Sequence, residues 1–236
     1  MSHITSSSSA LIIRYFEHNQ DYSLVFQAMK DFTNQRNEST ADEIWLMQHN
    51  SLYTQGQAGK PEHILMDTEL PIVQSDRGGQ VTWHGPGQLV AYFLLDLNRL
   101  GWNVRTLVSF AEQMMVDLLN LYHINAYAKK DAPGVYVDEQ KIGSLGFKIR
   151  RGRSYHGFSL NIHCDLKAFD FINPCGFSEL KMTKLHSLIS SDHQPTINML
   201  YHDIVRYLQC MPDFPSIRTI EHQQAGYFDA TTSSAN

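Results

Sequence analysis

The sequence lacks most features that would set it apart from ordinary soluble globular proteins. Its 236 residues include three cysteines, an odd number that argues against a disulfide framework and favours reduced thiols. No stretch approaches the roughly 18 consecutive apolar residues of a membrane span. The formal charge of −5 gives no electrostatic reason to expect a nucleic-acid partner. The N-terminal segment lacks a basic region followed by an apolar one, so we expect no signal peptide and a cytoplasmic location.

Nucleotide and metal motifs are also missing. There is no G-x-x-x-x-G-K-[ST] and no G-x-G-x-x-G, although glycines at 78, 79, 85 and 87 offer turns. There is no C-x-x-C, and His163, Cys164 and Cys175 match no zinc spacing. The residues therefore predict neither a nucleotide site nor a metal site.

The pattern of apolar residues predicts an α+β fold in one domain over residues 1–236, with polar, frayed ends at Ser6–Ser9 and Thr231–Asn236. Helical spacing predicts three helices, over Val25–Phe32 with Asp21 or Ser23 as the N-cap, over Leu107–Tyr122, and over Ile197–Leu208 behind Thr196. Strands are predicted at Ile44–Met47, Ile72–Ser75, Leu89–Leu95, Gly134–Val137, Ile142–Ile149 and Phe158–Ile162. Runs of strands with few helices between them favour a sheet with helices packed on it.

Cys175 is the candidate nucleophile. Pro174 restrains the backbone before it and Gly176 frees the backbone after it, so the thiol lies at a turn that a substrate can reach. Cys164 and Cys210 are instead expected to be small core residues. Because a free thiol is only a few per cent ionised at neutral pH, Cys175 needs a nearby cation or base.

Lys141 and several histidines compete for that role. Lys141 opens a glycine-punctuated strand, and a partly desolvated lysine beside a thiol can exchange protons near neutrality. The histidines that could act as the base are His84, His156, His163 and His186. For His84 and His156, hydrogen bonding in a pocket is favoured over proton transfer. The residues alone leave the choice open.

A basic cluster formed by Lys148, Arg150, Arg151 and Arg153 stands out on an acidic chain. Such a run is usually a solvated face. We interpret it here as a hypothesis for part of a docking face for acidic partners.

Five segments, taken together and in order, resemble the lipoyl(octanoyl) transferase family. They are Tyr53–His63, Arg77–Gln88, Lys141–Gly146, His156–Asn161 and Asn173–Gly176, and the match runs from about Glu43 to Leu185. Trp83 stands where the family pattern has tyrosine.

The resemblance implies the fold of biotin and lipoate protein ligases, a mixed sheet with helices packed on one side. It implies an acyltransferase that moves an octanoyl group from octanoyl-acyl carrier protein to a lysine of a lipoyl domain, the first step of endogenous lipoate synthesis. The acceptors would be the lipoyl domains of 2-oxoacid dehydrogenase complexes and the glycine cleavage H protein. Neither a metal nor ATP, nor any other cofactor, is implied.

Residue by residue, the resemblance implies that Cys175 is the acyl-thioester nucleophile and Lys141 its general acid and base. The acyl pocket would be lined by Arg77, Gly78, Gly79, Gln80, Val81, Thr82, Trp83, His84, Ser144, Leu145, Gly146, Gly157, Phe158 and Ser159.

Three other functions stay open at this point. The first is an ATP-dependent lipoate or biotin ligase of the same fold, which activates a free acid and needs no nucleophilic cysteine. The second is an amidotransferase that moves the acyl group between lipoyl domains. The third is a catalytically silent acyl-binding module, for which Cys175→Ala leaves function unchanged.

Overall fold

The computed structural model describes residues 10–176 and 179–228, so the polar ends Ser6–Ser9 and Thr231–Asn236 lie outside the described residues. The strands are β1 (Leu11–Phe16), β2 (Glu43–Met47), β3 (Leu52–Gln55), β4 (Ile72–Gln74), β5 (Val81–His84), β6 (Gln88–Leu94), β7 (Tyr127–Ala128), β8 (Val135–Val137), β9 (Gln140–Arg150), β10 (Arg153–Asn161) and β11 (Ile217–His222). The helices are α1 (Tyr22–Gln35), α2 (Leu97–Leu100), α3 (Val104–Asn120) and α4 (Ile197–Gln209). Short 3₁₀ turns lie at Pro61–His63, Leu166–Phe171, Pro174–Gly176, Leu185–Ser187 and Ser191–His193.

Two sheets organise the described residues. The larger has the order β11-β1-β2-β6-β10-β9-β8-β7, and the smaller has the order β4-β3-β5. β1 is parallel to both β2 and β11, whereas the remaining pairs of the large sheet are antiparallel. The sheet is therefore mixed, and the predicted α+β class is confirmed.

The three predicted helices are present, and side-chain caps define where they begin. The Asp21 carboxylate accepts a hydrogen bond from the Leu24 amide, so Asp21 is the N-cap of α1. The Thr196 hydroxyl caps α4 in the same way through the Met199 amide. Each cap satisfies an amide that has no partner within its own helix.

Helices cover both faces of the large sheet, so the expectation that they pack on one side was wrong. Alternate residues of β6 point to opposite faces. Phe93 packs in the core that buries α3 and α4, whereas Tyr92 packs in the cluster that buries α1. Both faces carry an apolar core because each helix brings its own apolar stripe. No helix in the described part of the chain is long and apolar enough to cross a membrane.

Candidate active site

A cavity of about 360 Å³ lies beside the large sheet, and residues of both α1 and α3 contribute to its lining. Its floor crosses β9, β10 and β6, and the segment before β5 forms part of its wall. Two strand spacings of about 4.8 Å make this crossing roughly 10 Å wide. Its lining consists of Tyr22, Arg77, Gly78, Gly79, Gln80, Val81, Thr82, His84, Val90, Tyr92, Val108, Asp131, Ala132, Pro133, Lys141, Ser144, Leu145, Gly146, His156, Gly157, Phe158 and Ser159.

Two glycines form part of the cavity floor where β9 and β10 pair. Gly157 lies opposite Gly146, and both line the cavity. A Cβ at Gly157 would stand 1.8 Å from the carbonyl oxygen of Ala91, which is far too close for any side chain. The strands β10 and β6 therefore pack closely at this point, and the glycine pair adds backbone but no side chain to the cavity lining.

Arg77 holds the glycine-rich wall in place. Its guanidinium donates to the Thr54 carbonyl at 2.7 Å and to the Gly78 carbonyl at 2.9 Å. The Gly78 amide in turn donates to the Phe147 carbonyl of β9 at 3.0 Å. Arg77 therefore connects the glycine-rich loop to β3 of the small sheet, and the loop in turn bonds β9 of the large sheet.

Lys141 is almost fully buried at one end of the cavity, with 2% of its surface exposed. Its ammonium donates to the Pro133 carbonyl at 2.8 Å and lies 5.6 Å from the ring centroid of Tyr136. Gly134 makes room for it, because a Cβ there would lie 2.4 Å from Cε of Lys141. Few lysines are buried in this way, and this one points a proton-carrying group into the cavity.

The turn that carries Cys175 lies against the cavity wall. Its backbone forms the 3₁₀ turn Pro174–Gly176, and the side chain of Cys175 lies outside the described part of the structure. A Cβ at Gly176 would stand 3.1 Å from Nε2 of Gln80, a lining residue. The Asn173 amide also donates to the His63 carbonyl at 2.8 Å. The backbone of this turn is therefore beside the cavity.

One wall of the cavity is formed by two hydrogen-bonded tyrosines, Tyr22 of α1 and Tyr92 of β6. The Tyr22 hydroxyl donates to Oγ of Ser75 at 2.8 Å, and the Tyr92 hydroxyl lies 2.7 Å from Nε2 of His49. Burial raises the pKa of both tyrosines and lowers that of His49 to about 4. All three groups stay neutral at physiological pH, which is compatible with an apolar ligand.

His156 lies at the same wall and contacts Asp76, with Nε2 of the ring 2.7 Å from the carboxylate. His156 has φ +60°, so it and its neighbour Tyr155 both reach Asp76. Burial lowers the pKa of His156, against the opposing effect of Asp76. Burial alone raises the pKa of Asp76, but hydrogen bonds from His156 and Tyr155 outweigh it and the net shift is downward.

Trp83 is the exception among the predicted lining residues. Its indole is buried outside the cavity, in contact with Phe169 at 5.7 Å between ring centroids. The other described residues that we predicted from Arg77 to His84, Ser144 to Gly146 and Gly157 to Ser159 are brought together in the cavity.

The other thiols and histidines are placed elsewhere. Cys164 is buried, and burial raises the pKa of its thiol to about 12, so it is inert at neutral pH. Cys210 is exposed at the end of α4, so the expectation that it is a core residue was wrong. The rings of His163 and His186 lie next to each other, with 5.3 Å between their centroids, and neither residue lines the cavity. Among the described residues, no three His, Cys, Asp or Glu side chains are grouped to ligate a metal ion.

Sequence reasoning missed several lining residues, notably Tyr22, Tyr92 and Pro133. Tyr92 lies in a strand that its apolar character identified only as core, and Tyr22 lies just before the predicted helix Val25–Phe32, between its two N-cap candidates. Pro133 precedes Gly134, a turn signal just before a strand, and this pair was the available clue to a loop near the site.

The arginine end of the basic cluster lies far from Lys141. Arg150 ends β9 and Lys141 lies near its start, so nine steps along the strand separate them by about 30 Å. Arg153 donates to the Arg36 carbonyl at 2.7 Å and faces Asp96, so it belongs to the fold. This distance argues against a docking contact of these arginines beside Lys141, and the docking-face hypothesis stays a prediction that charge reversal tests.

Solved structures with the same overall fold are lipoate protein ligases. Lipoate-protein ligase A bound with ATP superposes with a TM-score of 0.69 at 11% identity, covering 96% of this chain and 93% of that one. A bi-partite lipoate protein ligase from Thermoplasma acidophilum gives 0.68 at 11% identity, covering 96% and 91%. At this identity the likeness establishes the fold, which agrees with the expected one.

Sequence comparisons are more specific. An octanoyltransferase of Acinetobacter baylyi is 58% identical over 210 residues, which cover 89% of this chain and 95% of that protein. One from Pseudomonas putida is 58% identical over 169 residues, 72% of this chain and 79% of that protein. The family described as the lipoyl protein ligase A/B catalytic domain matches residues 21–209. The resemblance drawn from five short segments is thereby confirmed, and the chain belongs to the lipoyl protein ligase A/B catalytic-domain family, among relatives that are octanoyltransferases and hence acyltransferases.

Proposed function

We propose that this protein transfers an octanoyl group from octanoyl-acyl carrier protein to a lysine of lipoyl domains through a thioester on Cys175. The acceptors are the lipoyl domains of 2-oxoacid dehydrogenase complexes and the glycine cleavage H protein. The observation that carries the proposal is a cavity with a glycine pair in its floor and a buried lysine ammonium at one end, next to the turn of Cys175.

The cavity fits an eight-carbon chain. Its floor is about 10 Å across, and an extended octanoyl group spans about 9 Å with C–C bonds of about 1.5 Å. The wall toward α1 offers neutral tyrosine and histidine groups that already have hydrogen-bond partners within the protein. A chain entering from the Lys141 end would place its carbonyl carbon near that lysine and its methyl end toward Tyr22 and Tyr92.

The first half-reaction exchanges one thioester for another. Lys141 in its neutral form takes the proton of the Cys175 thiol, and the thiolate attacks the acyl carbon of the donor. The new sulfur–carbon bond forms as the bond to the pantetheine sulfur breaks, and Lys141 returns the proton to that sulfur. This step is nearly isoenergetic because a thioester is both consumed and formed.

The second half-reaction forms an amide. The acceptor lysine first loses one ammonium proton to Lys141, and its amine then attacks the Cys175 thioester. As the carbon–sulfur bond breaks, the second proton of the amine leaves with the cysteine sulfur, and the Lys141 ammonium loses its proton to solvent. Backbone amides of the glycine-rich turns stabilise the oxyanion of each tetrahedral intermediate. Since both partners use the same site in turn, the kinetics are ping-pong.

The deciding experiment is intact-protein mass spectrometry of the enzyme mixed with octanoyl-acyl carrier protein in the absence of ATP. A Cys210→Ser background removes the exposed thiol, and Cys164 is left as a buried internal control. We expect one octanoyl adduct, absent from Cys175→Ala and discharged when a lipoyl domain is added.

Other outcomes of this experiment lead to the other functions. Acylation of lipoyl domain only when ATP and free octanoate are present would replace the proposal by the ligase activity. Adduct formation from octanoylated lipoyl domain but not from carrier protein would identify an amidotransferase. Binding of octanoyl-carrier protein that Cys175→Ala leaves unchanged, with no acylated product, would identify a silent binding module.

A further inference from the structure

A row of buried polar side chains connects the cavity wall to the segment at 181–183. Nδ1 of His84 lies 2.8 Å from Oε1 of Gln88, Nε2 of Gln88 lies 2.9 Å from Oδ1 of Asn161, and Nδ2 of Asn161 lies 3.0 Å from the Thr183 carbonyl. All four residues are buried, with Gln88 and Asn161 exposing 1% and 2% of their surface. The row begins at His84, the last residue of β5, which lines the cavity, and passes through Gln88 of β6 to Asn161 of β10.

The direction of every hydrogen bond in this row follows from its last member. A carbonyl oxygen only accepts, so Asn161 must turn its amide nitrogen to Thr183 and its oxygen to Gln88. Gln88 then donates to Asn161 and turns its own oxygen to His84. Because that oxygen also only accepts, the ring of His84 carries its proton on Nδ1 and leaves Nε2 as an acceptor. Burial lowers the pKa of His84 to about 3, so the ring remains neutral.

The segment at the other end of the row is joined to the backbone of Lys141. The Lys141 amide donates to the Lys181 carbonyl at 2.8 Å, and the Thr183 amide donates to the Lys141 carbonyl at 2.9 Å. These bonds make a parallel bridge between Lys141 and Met182. The same segment follows the Cys175 turn along the chain, so it connects the two residues of the proposed reaction.

Buried amides cost free energy unless their hydrogen bonds are made, and apolar residues fill a core without that risk. Asn161 and Gln88 have partners for both ends of their side-chain amides, Gln88 including a further bond to the Trp83 carbonyl at 3.3 Å. Neither residue lines the cavity. We interpret these amides as fixing the orientation of the groups that they bond, because only one assignment of donors and acceptors satisfies the whole row.

We propose that Gln88 and Asn161 are positioning residues that hold the 181–183 segment against Lys141 and fix His84 in the Nδ1-protonated tautomer at the cavity wall. The first part rests on the function proposed for Lys141 and Cys175. The second part, the tautomer, does not depend on the reaction.

The kinetic test compares the rate of Cys175 octanoylation in wild type and Asn161→Ala. Since small displacements of a reacting group can cost about 10²-fold in rate, we expect a loss of that order with the KM for the octanoyl donor within about twofold of wild type. Asn161→Asp keeps the acceptor toward Gln88 but loses the donor toward Thr183, so it should lose a similar factor. The matched control is Gln20→Ala, which removes another buried amide, one that donates to the His18 carbonyl at 2.7 Å.

Gln20→Ala should lower the melting temperature without changing the octanoylation rate of the folded enzyme. If Asn161→Ala acylates as fast as wild type, or if Gln20→Ala is equally slow, the positioning role is overturned. If wild type itself forms no adduct with octanoyl-carrier protein, the proposed function fails instead, and the two failures are thus distinct.

The spectroscopic test uses ¹⁵N-labelled histidine in wild type, with the His84 signals assigned by their absence from His84→Gln. We expect Nδ1 of His84 to be protonated and Nε2 to be unprotonated. Gln88→Met removes the acceptor and should shift the ring toward protonation on Nε2. An Nε2-protonated ring in wild type, or a tautomer that Gln88→Met leaves unchanged, would overturn the assigned direction of the row.

Discussion

The two faces of the large sheet bury different kinds of side chain. On the face of α3 and α4, β6 contributes Leu89, Ala91 and Phe93 to a cluster made entirely of apolar residues. On the opposite face the same strand contributes to a second apolar cluster, but it also places there Gln88 and Tyr92, which make buried hydrogen bonds. One strand thus separates a face held by apolar packing from a face that combines apolar packing with oriented polar contacts.

We expect the apolar face to contribute mainly to stability and the face with buried polar contacts to contribute also to activity. An apolar core tolerates changes of shape if its volume is kept, because dispersion and burial are not directional. A buried polar row tolerates substitution less well, because a donor or acceptor that loses its partner is left unsatisfied away from water. Substitutions on the two faces should therefore separate loss of stability from loss of activity.

On the polar face, Lys141→Met should lower the octanoylation rate by about 10²- to 10⁴-fold, the range typical of losing a general acid–base group. The matched control is Lys184→Met, because Lys184 also donates to a backbone carbonyl, that of Cys164 at 2.9 Å, but lies outside the cavity. Single-turnover mass spectrometry measures both. Equal losses in the two variants would contradict a special role for Lys141.

On the apolar face, Leu118→Ala should lower the free energy of unfolding by about 2–5 kcal/mol, since Leu118 is 1% exposed in α3. The folded enzyme should keep its octanoylation rate. Leu121→Ala, at a residue that is 60% exposed, is the control and should change stability by less than about 0.5 kcal/mol. A stable Leu118→Ala variant with a much reduced rate would show that the faces are not independent.

Gly134→Ala should displace the ammonium of Lys141, because the new Cβ would lie 2.4 Å from Cε of that lysine. We expect octanoylation to slow by about 10- to 10²-fold. Gly101→Ala is the control, since Gly101 also has a positive φ but nothing lies within 4 Å of a Cβ there. Chemical denaturation and acylation rates then separate backbone strain, common to both variants, from displacement of the lysine.

The polar face should also make stability depend on pH. Burial lowers the pKa of His49 to about 4 and of His84 to about 3, against an ordinary 6.5. Below pH 6.5 the unfolded chain therefore binds more protons than the folded one, and stability falls as pH decreases toward 4. Each histidine contributes up to about 1.4 kcal/mol per pH unit in that window.

Urea unfolding between pH 7.5 and 4.5 measures this dependence. His84→Gln should flatten the decline, whereas His202→Gln, which removes an exposed histidine, should leave it as in wild type. A decline that is identical in wild type and His84→Gln would show that the ring is not held neutral by the fold.

The smallest effect is expected at the hairpin between β9 and β10. Arg150→Glu with Arg151→Glu should change the KM for carrier protein by less than about twofold, because these residues lie about 30 Å along β9 from Lys141. Lys181 is exposed, and its carbonyl accepts a hydrogen bond from the Lys141 amide. Lys181→Glu should therefore raise the KM for carrier protein more than the double arginine variant does, and weaken the salt dependence of that KM. The reverse order would restore the hairpin as the docking face.

Sequence periodicity predicted the parts of the fold whose signals are local. The helices α1, α3 and α4 and the strand β6 were expected within a few residues of their bounds, because apolar spacing and caps act over a few residues. β1 and β11 were missed. They pair with each other in parallel across about 200 residues of chain, and no local pattern encodes such a distant partner.

The resemblance carried by five short segments identified the family, and thirteen of the fourteen residues that it implies for the acyl pocket line the cavity. The helices on both faces, the position of Trp83 outside the cavity and the distance of Arg150 from Lys141 became visible only in the folded chain. It alone joined Gln88 and Asn161 to the backbone of Lys141. The physical reason is that composition and spacing act locally, whereas the direction of a side chain and the partner of a buried polar atom are set by distant parts of the chain.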